Sequence, residues 1–316
     1  MKFSKKVTLE DFVRYSKLRR ILLKLRDRER YYELKDDAKR FKFVEQFEAF
    51  KLPEMPVIAA GQRASFKHSG NAGDIIYALP SLRMLAGEQG AKLSLALNVP
   101  MRDRKLKHPL GGVQLNQKMY DMLTPLLSRQ DYIKELAVYD GTPVDYDLDV
   151  FRDAPFRMDR LGICRWYFYL FGIACDLSKP WLKVEPDPAY KDRIVVARSK
   201  RYRNLTFSYK FLQQYGAPVF VGLADEYEDF RSQVPQAEWV EVNDFHQLAR
   251  IIAGSRLFIG NQSFPYSIAE GLKVPRVLEL DPGMPNVVPA GEHGYDVLYQ
   301  RRFESVVERL MEVRLV

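Results

Sequence analysis

Leu257-Phe258-Ile259-Gly260-Asn261-Gln262-Ser263-Phe264-Pro265-Tyr266-Ser267-Ile268-Ala269-Glu270-Gly271-Leu272, followed by Lys273-Val274-Pro275-Arg276-Val277-Leu278-Glu279-Leu280, is the stretch on which the fold turns. Two apolar runs flank a polar turn and a segment of helical spacing, which predicts a strand, a short helix and a second strand. That is one β-α-β unit. Pro265 suits the first position of the helix and Ser263 its cap, so the turn at Asn261 and Gln262 sends backbone N–H groups out of the strand's carboxyl end. Such an end binds anions, and a nucleotide diphosphate is a common occupant. Read alone, the unit is equally one crossover of an α/β sheet that binds nothing.

Upstream the same rhythm repeats. Arg193–Ala197 reads as a strand, Phe207–Tyr215 as a helix, Val219–Gly222 as a strand and Phe245–Ala253 as a helix leading into the unit. Leu177–Ala189, with three prolines, reads as a linker. Before it come strands at Val57–Ala60, Leu93–Leu97 and Ile133–Val138, a helix at Gln117–Leu127 and an aromatic core helix at Arg165–Phe171. Strands alternating with helices in both halves predict an α/β protein of two Rossmann-like parallel-sheet domains facing across a cleft. The expected boundaries are 57–180 and 190–316, preceded by a basic helical extension over 1–56.

At 316 residues the chain has room for two cores. It is 47% hydrophobic and 28% charged, and no apolar run approaches the ~20 residues needed to span a bilayer. No secretory leader is evident, so the cytoplasm is the expected compartment. Cys164 and Cys175 have no histidine at metal-ligand spacing and read as ordinary core residues. Asp145, Asp147 and Asp149 alternate; such acids can hold a metal, but here they read as the polar face of a strand, and no metal is expected.

The net charge of +8 is concentrated at the start, where residues 1–60 hold sixteen Lys or Arg against ten Asp or Glu. From Thr8 and Asp11 an amphipathic helix is expected, with Leu18, Ile21, Leu22 and Leu25 on one face and Lys17, Arg20, Lys24 and Arg28 on the other. The preferred reading docks that apolar stripe on the protein; the other lays it on an anionic membrane surface, with nucleic acid a further polyanion to consider. A second helix is expected to run to about Phe50.

Phe66–Leu82 holds a loop of small residues, His68, Ser69, Gly70, Asn71 and Gly73, running into a helix whose first turn carries Asp74. A carboxylate there caps a helix, or does chemistry. The basic loop at Pro100–Gly112, with Arg102 and Arg104, is expected to face an acceptor, together with His68, Ser69 and Asn71.

Three stretches together resemble the heptosyltransferase-like glycosyltransferases (glycosyltransferase family 9, GT-B fold). They are Gly73-Asp74 with Leu79-Pro80; Val221-Gly222 with Asp225-Glu226; and Leu248-Ala249-Arg250-Ile251-Ile252 through Ala269. The resemblance spans roughly 66 to 280. It implies an inverting, metal-independent transfer from a nucleotide sugar to a glycan or glycolipid acceptor, lipopolysaccharide-like or another surface glycan, with Asp74 as general base. The donor diphosphate would meet Arg198, Ser199, Lys200, Arg203, Gln262 and Ser263, within a donor side that includes Gly222, Asn261 and Pro265, and Glu226 would contact the nucleoside. Where the family has Asp-Ser-Gly-Pro this chain has Gln262-Ser263-Phe264-Pro265, and Ser267 replaces its His. Two rivals follow: a transferase acting on nucleic acid, and a silent sugar-nucleotide or glycan-binding protein.

Overall fold

The structure, a computed structural model, describes residues 7–101 and 111–312. The basic extension forms α1 (Leu9–Arg14), α2 (Lys17–Arg26) and α3 (Arg28–Ala49). The single helix expected from Thr8 is broken at Tyr15-Ser16, because the Ser16 hydroxyl accepts the Arg19 N–H and starts a new helix there. Within this unit Phe12 packs edge-on to Tyr31 at 5.8 Å and Arg20 lies over the Phe12 ring. Within this unit no residue of α2 is buried, and Leu18 and Leu25 are 69% and 79% exposed.

The rest of the described chain is α/β. The first sheet contains β1 (Ala64–His68), β2 (Ala91–Leu95), β3 (Ile133–Val138) and β4 (Tyr146–Asp147), in the order β3-β2-β1-β4, all parallel. Its helices are α4 (Ala72–Ala86), α5 (Gln117–Leu127) and α6 (Ile163–Phe171). The strand expected at Val57–Ala60 is absent, and Val57 is 97% exposed. The sheet opens instead at β1, whose Ala64, Phe66 and His68 face the core. Its other residues are held by acids eighty positions on. Asp145 accepts from the Ser65 N–H and hydroxyl, Asp147 pairs with Lys67 at 2.7 Å, and Asp149 accepts the Ser69 N–H. The alternating aspartates therefore fasten one strand to its neighbour.

The second sheet contains β5 (Ile194–Ala197), β6 (Val219–Phe220), β7 (Glu238–Trp239), β8 (Leu257–Asn261), β9 (Arg276–Glu279) and β10 (Gly294–Val297). All are parallel, in the order β10-β9-β8-β5-β6-β7. Numbered from β5, that is the 3-2-1-4-5-6 order of a dinucleotide-binding domain. Its helices are α7 (Ala224–Arg231), α8 (Phe245–Gly254), α9 (Phe264–Leu272) and α10 (Gln300–Glu312). The helix expected over Phe207–Tyr215 is a 3-10 segment, Lys210–Tyr215. β5 and β8 are buried at every position, as strands covered on both faces must be.

The proline-bearing stretch between the sheets is tied to both of them. The Trp181 and Leu182 N–H groups donate to the Gly271 carbonyl of α9, the Trp181 indole donates to Ile76 of α4, and the Tyr132 hydroxyl donates to the Trp181 carbonyl. A side chain at Gly271 would put its Cβ 2.8 Å from Leu182 Cδ1, so glycine is what admits this contact.

Candidate functional site

In an open parallel sheet, ligands bind outside the carboxyl ends of the strands, where the strand order reverses and neighbouring loops part. The first sheet reverses between β1 and β4, with the loops 69–71 and 148–152. The second reverses between β5 and β8, with the loops 198–204 and 262–263.

At the first reversal His68 closes the floor. It is fully buried, and its Nδ1 accepts the Gly70 N–H at 2.8 Å, so the ring proton sits on Nε2 and is donated to the Tyr167 hydroxyl 2.9 Å away. Burial pushes this imidazole down to about 4, which keeps it neutral. Gly70 is wedged above it. A Cβ there would lie 2.4 Å from His68 Cε1, 2.6 Å from Arg152 Nη2 and 3.0 Å from Asp74 Cβ. Arg152 lies over the Phe151 ring at 4.4 Å, with Nε 3.7 Å from Asp149 Oδ1 and Nη2 3.7 Å from Asp74 Oδ2. Burial disfavours charge on Asp149, yet the Ser69 N–H and Arg152 hold it below the usual carboxylate range.

Asp74 is in the first turn of α4, its side chain 22% exposed. Burial raises its carboxyl above the ordinary value; Arg152, Asn71 and Arg201 act in the opposite direction without cancelling it. The result is a partly open carboxylate of increased basicity. Asn71 occupies the cap position of α4 without a side-chain capping bond. The first-turn N–H groups of α4 thus receive no side-chain cap.

At the second reversal Asn261, fully buried, winds the 198–204 loop about its amide. Its oxygen accepts the Ser199 N–H at 3.0 Å, and its nitrogen donates to the Ser199 and Arg201 carbonyls. Beside it Glu279, also fully buried, accepts from four donors: Arg198 twice (2.7 and 2.9 Å), the Asn204 N–H and the Tyr209 hydroxyl. Arg203 pairs with Asp229 and donates to the Ser199 and Arg198 carbonyls. Glu226 accepts the Leu223 and Lys200 N–H groups. Gly222 is close-packed, since a Cβ would meet Phe220 at 2.9 Å and Glu226 at 3.1 Å.

The helix that follows has Ser263 at its cap position, but the Ser263 hydroxyl bonds the Asn261 carbonyl and makes no capping bond. Pro265 takes the second helical position, Phe264 the first. Gln262 braces the chain beyond β9, donating to the Met284 carbonyl and Asn286 Oδ1 and accepting the Asp281 N–H. Ser267 is buried and bonds the Phe264 carbonyl. Where α4 meets α9, a Cβ on Gly73 would lie 3.8 Å from Phe264 Cα and 3.9 Å from Ser267 Oγ. The two uncapped helix starts therefore abut.

Of the residues expected on the acceptor side, Asn71 is half-buried at the start of α4, while His68 and Ser69 are buried beneath the loop they support. Arg102 and Arg104 lie outside the described residues. On the donor side Arg198, Arg203, Glu226, Asn261 and Gln262 have their polar atoms engaged within the protein, and Gly222 and Pro265 shape the backbone; Lys200 is the more open cation, 54% exposed and paired with Asp225. Sequence reading passed over Arg152, Glu279 and Arg201, and took Asp149 only for the polar face of a strand. Arg201 sits inside the basic run already noted, half-buried, and no hydrogen bond or ion pair holds its guanidinium among the described residues, while its charge acts on Asp74. Two cavities, of about 380 and 490 Å³, lie elsewhere, around Trp181 and Cys175.

No protein-family model and no curated protein matches the chain. Solved structures do. A glycosyl transferase of family 9 from Veillonella parvula DSM 2008 superposes with a TM-score of 0.50 at 15% identity, over 83% of this chain and 91% of that one. The E. coli heptosyltransferase WaaC with ADP superposes with a TM-score of 0.51 at 12% identity, over 79% of this chain and 100% of that one. At these identities the likeness is one of architecture, and the architecture is that of the family 9 glycosyltransferases, two parallel-sheet α/β domains in the GT-B manner.

Proposed function

We propose that the chain is an inverting glycosyltransferase that moves a sugar from a nucleoside-diphosphate donor to the hydroxyl of a glycan or glycolipid, working in the cytoplasm. The observation that carries this reading is the meeting of two helix starts, α4 and α9, neither capped by a side chain, with Asp74 in the first turn of one of them. Free N–H groups and helix dipoles favour a diphosphate. A carboxylate of raised basicity beside that anion site suits a general base.

In the step proposed, Asp74 takes the proton of the acceptor hydroxyl as its oxygen bonds to the anomeric carbon, and the bond from that carbon to the diphosphate breaks with inversion. Negative charge grows on the leaving diphosphate, and in this reading the Phe264 N–H at the start of α9, Lys200 and Arg201 offset it without a metal. Arg152 keeps the base oriented. The E. coli neighbour carries ADP, which makes an adenine nucleotide the first donor to try.

The test is thermal stabilisation by a panel of nucleoside diphosphates and nucleotide sugars, then diphosphate release with each stabiliser. Asp74→Asn is expected to retain the stabilisation and lose on the order of 10²–10⁴ in rate. A chain that no nucleotide stabilises would end the proposal. One observation favours a second reading, a silent binding protein: Gln262 and Ser267, which replace the family Asp and His, are both turned to internal bonds. Stabilisation by a nucleotide sugar with no release in wild type would decide for it.

A further inference from the structure

Helix α2, Lys17–Arg26, carries five cations and no acid. At 100° per residue Leu18, Ile21, Leu22 and Leu25 fall within one arc of about 100°. Lys17 and Lys24 border that arc on one side, Arg19 and Arg26 on the other. Leu23, half-buried, is on the far face, and Arg20 is occupied inside the unit, donating to the Val13 carbonyl at 2.9 Å. The four stripe residues are exposed, Leu25 most of all. The helix is fully formed and begins at a Ser16 cap, and none of its residues is buried.

We propose that α2 lies in the headgroup boundary of an anionic bilayer, its four apolar side chains reaching the acyl chains and Lys17, Arg19, Lys24 and Arg26 meeting lipid phosphates on either side. Only a surface that is apolar in the middle and anionic on both flanks satisfies this helix along its whole length. A second copy of α2 would not, because packing stripe on stripe sets rows of like charge beside each other. The excess of cations over residues 1–60 adds attraction to the same surface. Ten residues span about 15 Å, half a hydrocarbon core, so the helix lies in the surface and does not cross it. No described helix is long and apolar enough to cross a membrane. This inference goes beyond sugar transfer and holds whether or not the cleft turns a donor over.

The experiment is co-sedimentation of the full chain with vesicles of phosphatidylcholine containing about one quarter phosphatidylglycerol, against pure phosphatidylcholine. The expected result is binding to the anionic vesicles only. Leu22→Glu with Leu25→Glu is expected to lower partitioning by roughly tenfold or more while the melting temperature stays that of wild type. Replacing Lys17, Arg19, Lys24 and Arg26 by Gln is expected to erase the preference for the anionic lipid. Leu22→Trp should shift its fluorescence to the blue with those vesicles, which a merely electrostatic contact would not produce. Absence of binding, binding unaltered by the double Glu change, no blue shift, or a concentration-dependent dimer abolished by that change without vesicle binding would each overturn the proposal.

Discussion

The two points where strand order reverses are built on the same topological rule but of opposite materials. At β1/β4 Arg152 lies 3.7 Å from Asp74 and 3.7 Å from Asp149, and Asp74 keeps an open side. At β5/β8 the charges are closed into direct bonds, with Glu279 accepting four donors and Asn261 holding the loop. Closed networks give a rigid frame, and loosely spaced ones leave a carboxylate with a changed basicity and room for a proton. The difference teaches that in this molecule the half with the conspicuous basic run is internally braced, and the half with the small-residue loop holds the proposed general base, Asp74.

The sharpest break of that contrast is Glu279→Ala. It leaves Arg198 buried without its partner and two further donors unsatisfied, and is expected to lower stability by about 3–5 kcal/mol, read from the urea midpoint. Glu279→Gln should cost less. If the alanine variant melts as wild type does, the second reversal is not a frame.

Next comes the floor of the first reversal. The unfolded chain takes up a proton at His68 near pH 6.5, while the folded chain refuses it until about 4. The stability contributed by neutral His68 is therefore complete above pH 6.5 and is lost as pH falls toward 4, by about 3 kcal/mol in all. His68→Gln keeps a donor for Tyr167 and should flatten that part of the slope in paired titrations of wild type and variant. An identical slope in both would show that the imidazole is not what holds the loop down.

Gly70→Ala is expected to cost about 1–3 kcal/mol, because the methyl group collides with His68 and Arg152, while Gly73→Ala, with its nearest contact at 3.8 Å, should be nearly silent. Equal effects from the two, measured by chemical denaturation, would contradict the wedge at Gly70. The smallest effect is a gain. Because burial raises the Asp74 carboxyl, its charge costs stability at neutral pH, and that cost fades as pH falls below the folded value and disappears under the unfolded one. Asp74→Asn should thus melt slightly higher than wild type at pH 7 and no higher near pH 3.5. A variant less stable at pH 7 would make Asp74 a structural cap.

Much of this was legible along the chain. The β8–α9–β9 unit was, because its apolar runs are buried on both faces and do not depend on a partner's side chains for their pattern. The turn into α4 was legible from its small residues, and the amphipathic character of α2 from its spacing. β1 was not. Ser65 and Lys67 give its solvent face a polarity that is matched by Asp145 and Asp147 from eighty residues away, and no local pattern announces such a match. Val57–Ala60 had the right composition for a strand and no neighbour to bond. Arg152 and Glu279 escaped for the same reason: each acquires its role from a residue remote in sequence.

Sequence alone determined the alternation of strands and helices, the carboxylate in the first turn of α4, and where the positive charge and the apolar stripe of α2 would lie, since these depend on neighbours within a few residues. Tertiary structure alone decided the strand order, which basic residues are locked into ion pairs and which stay open, and that α4 and α9 begin against one another. Those follow from contacts made across the chain, where burial sets the cost of an unpaired charge and so decides which pairs form.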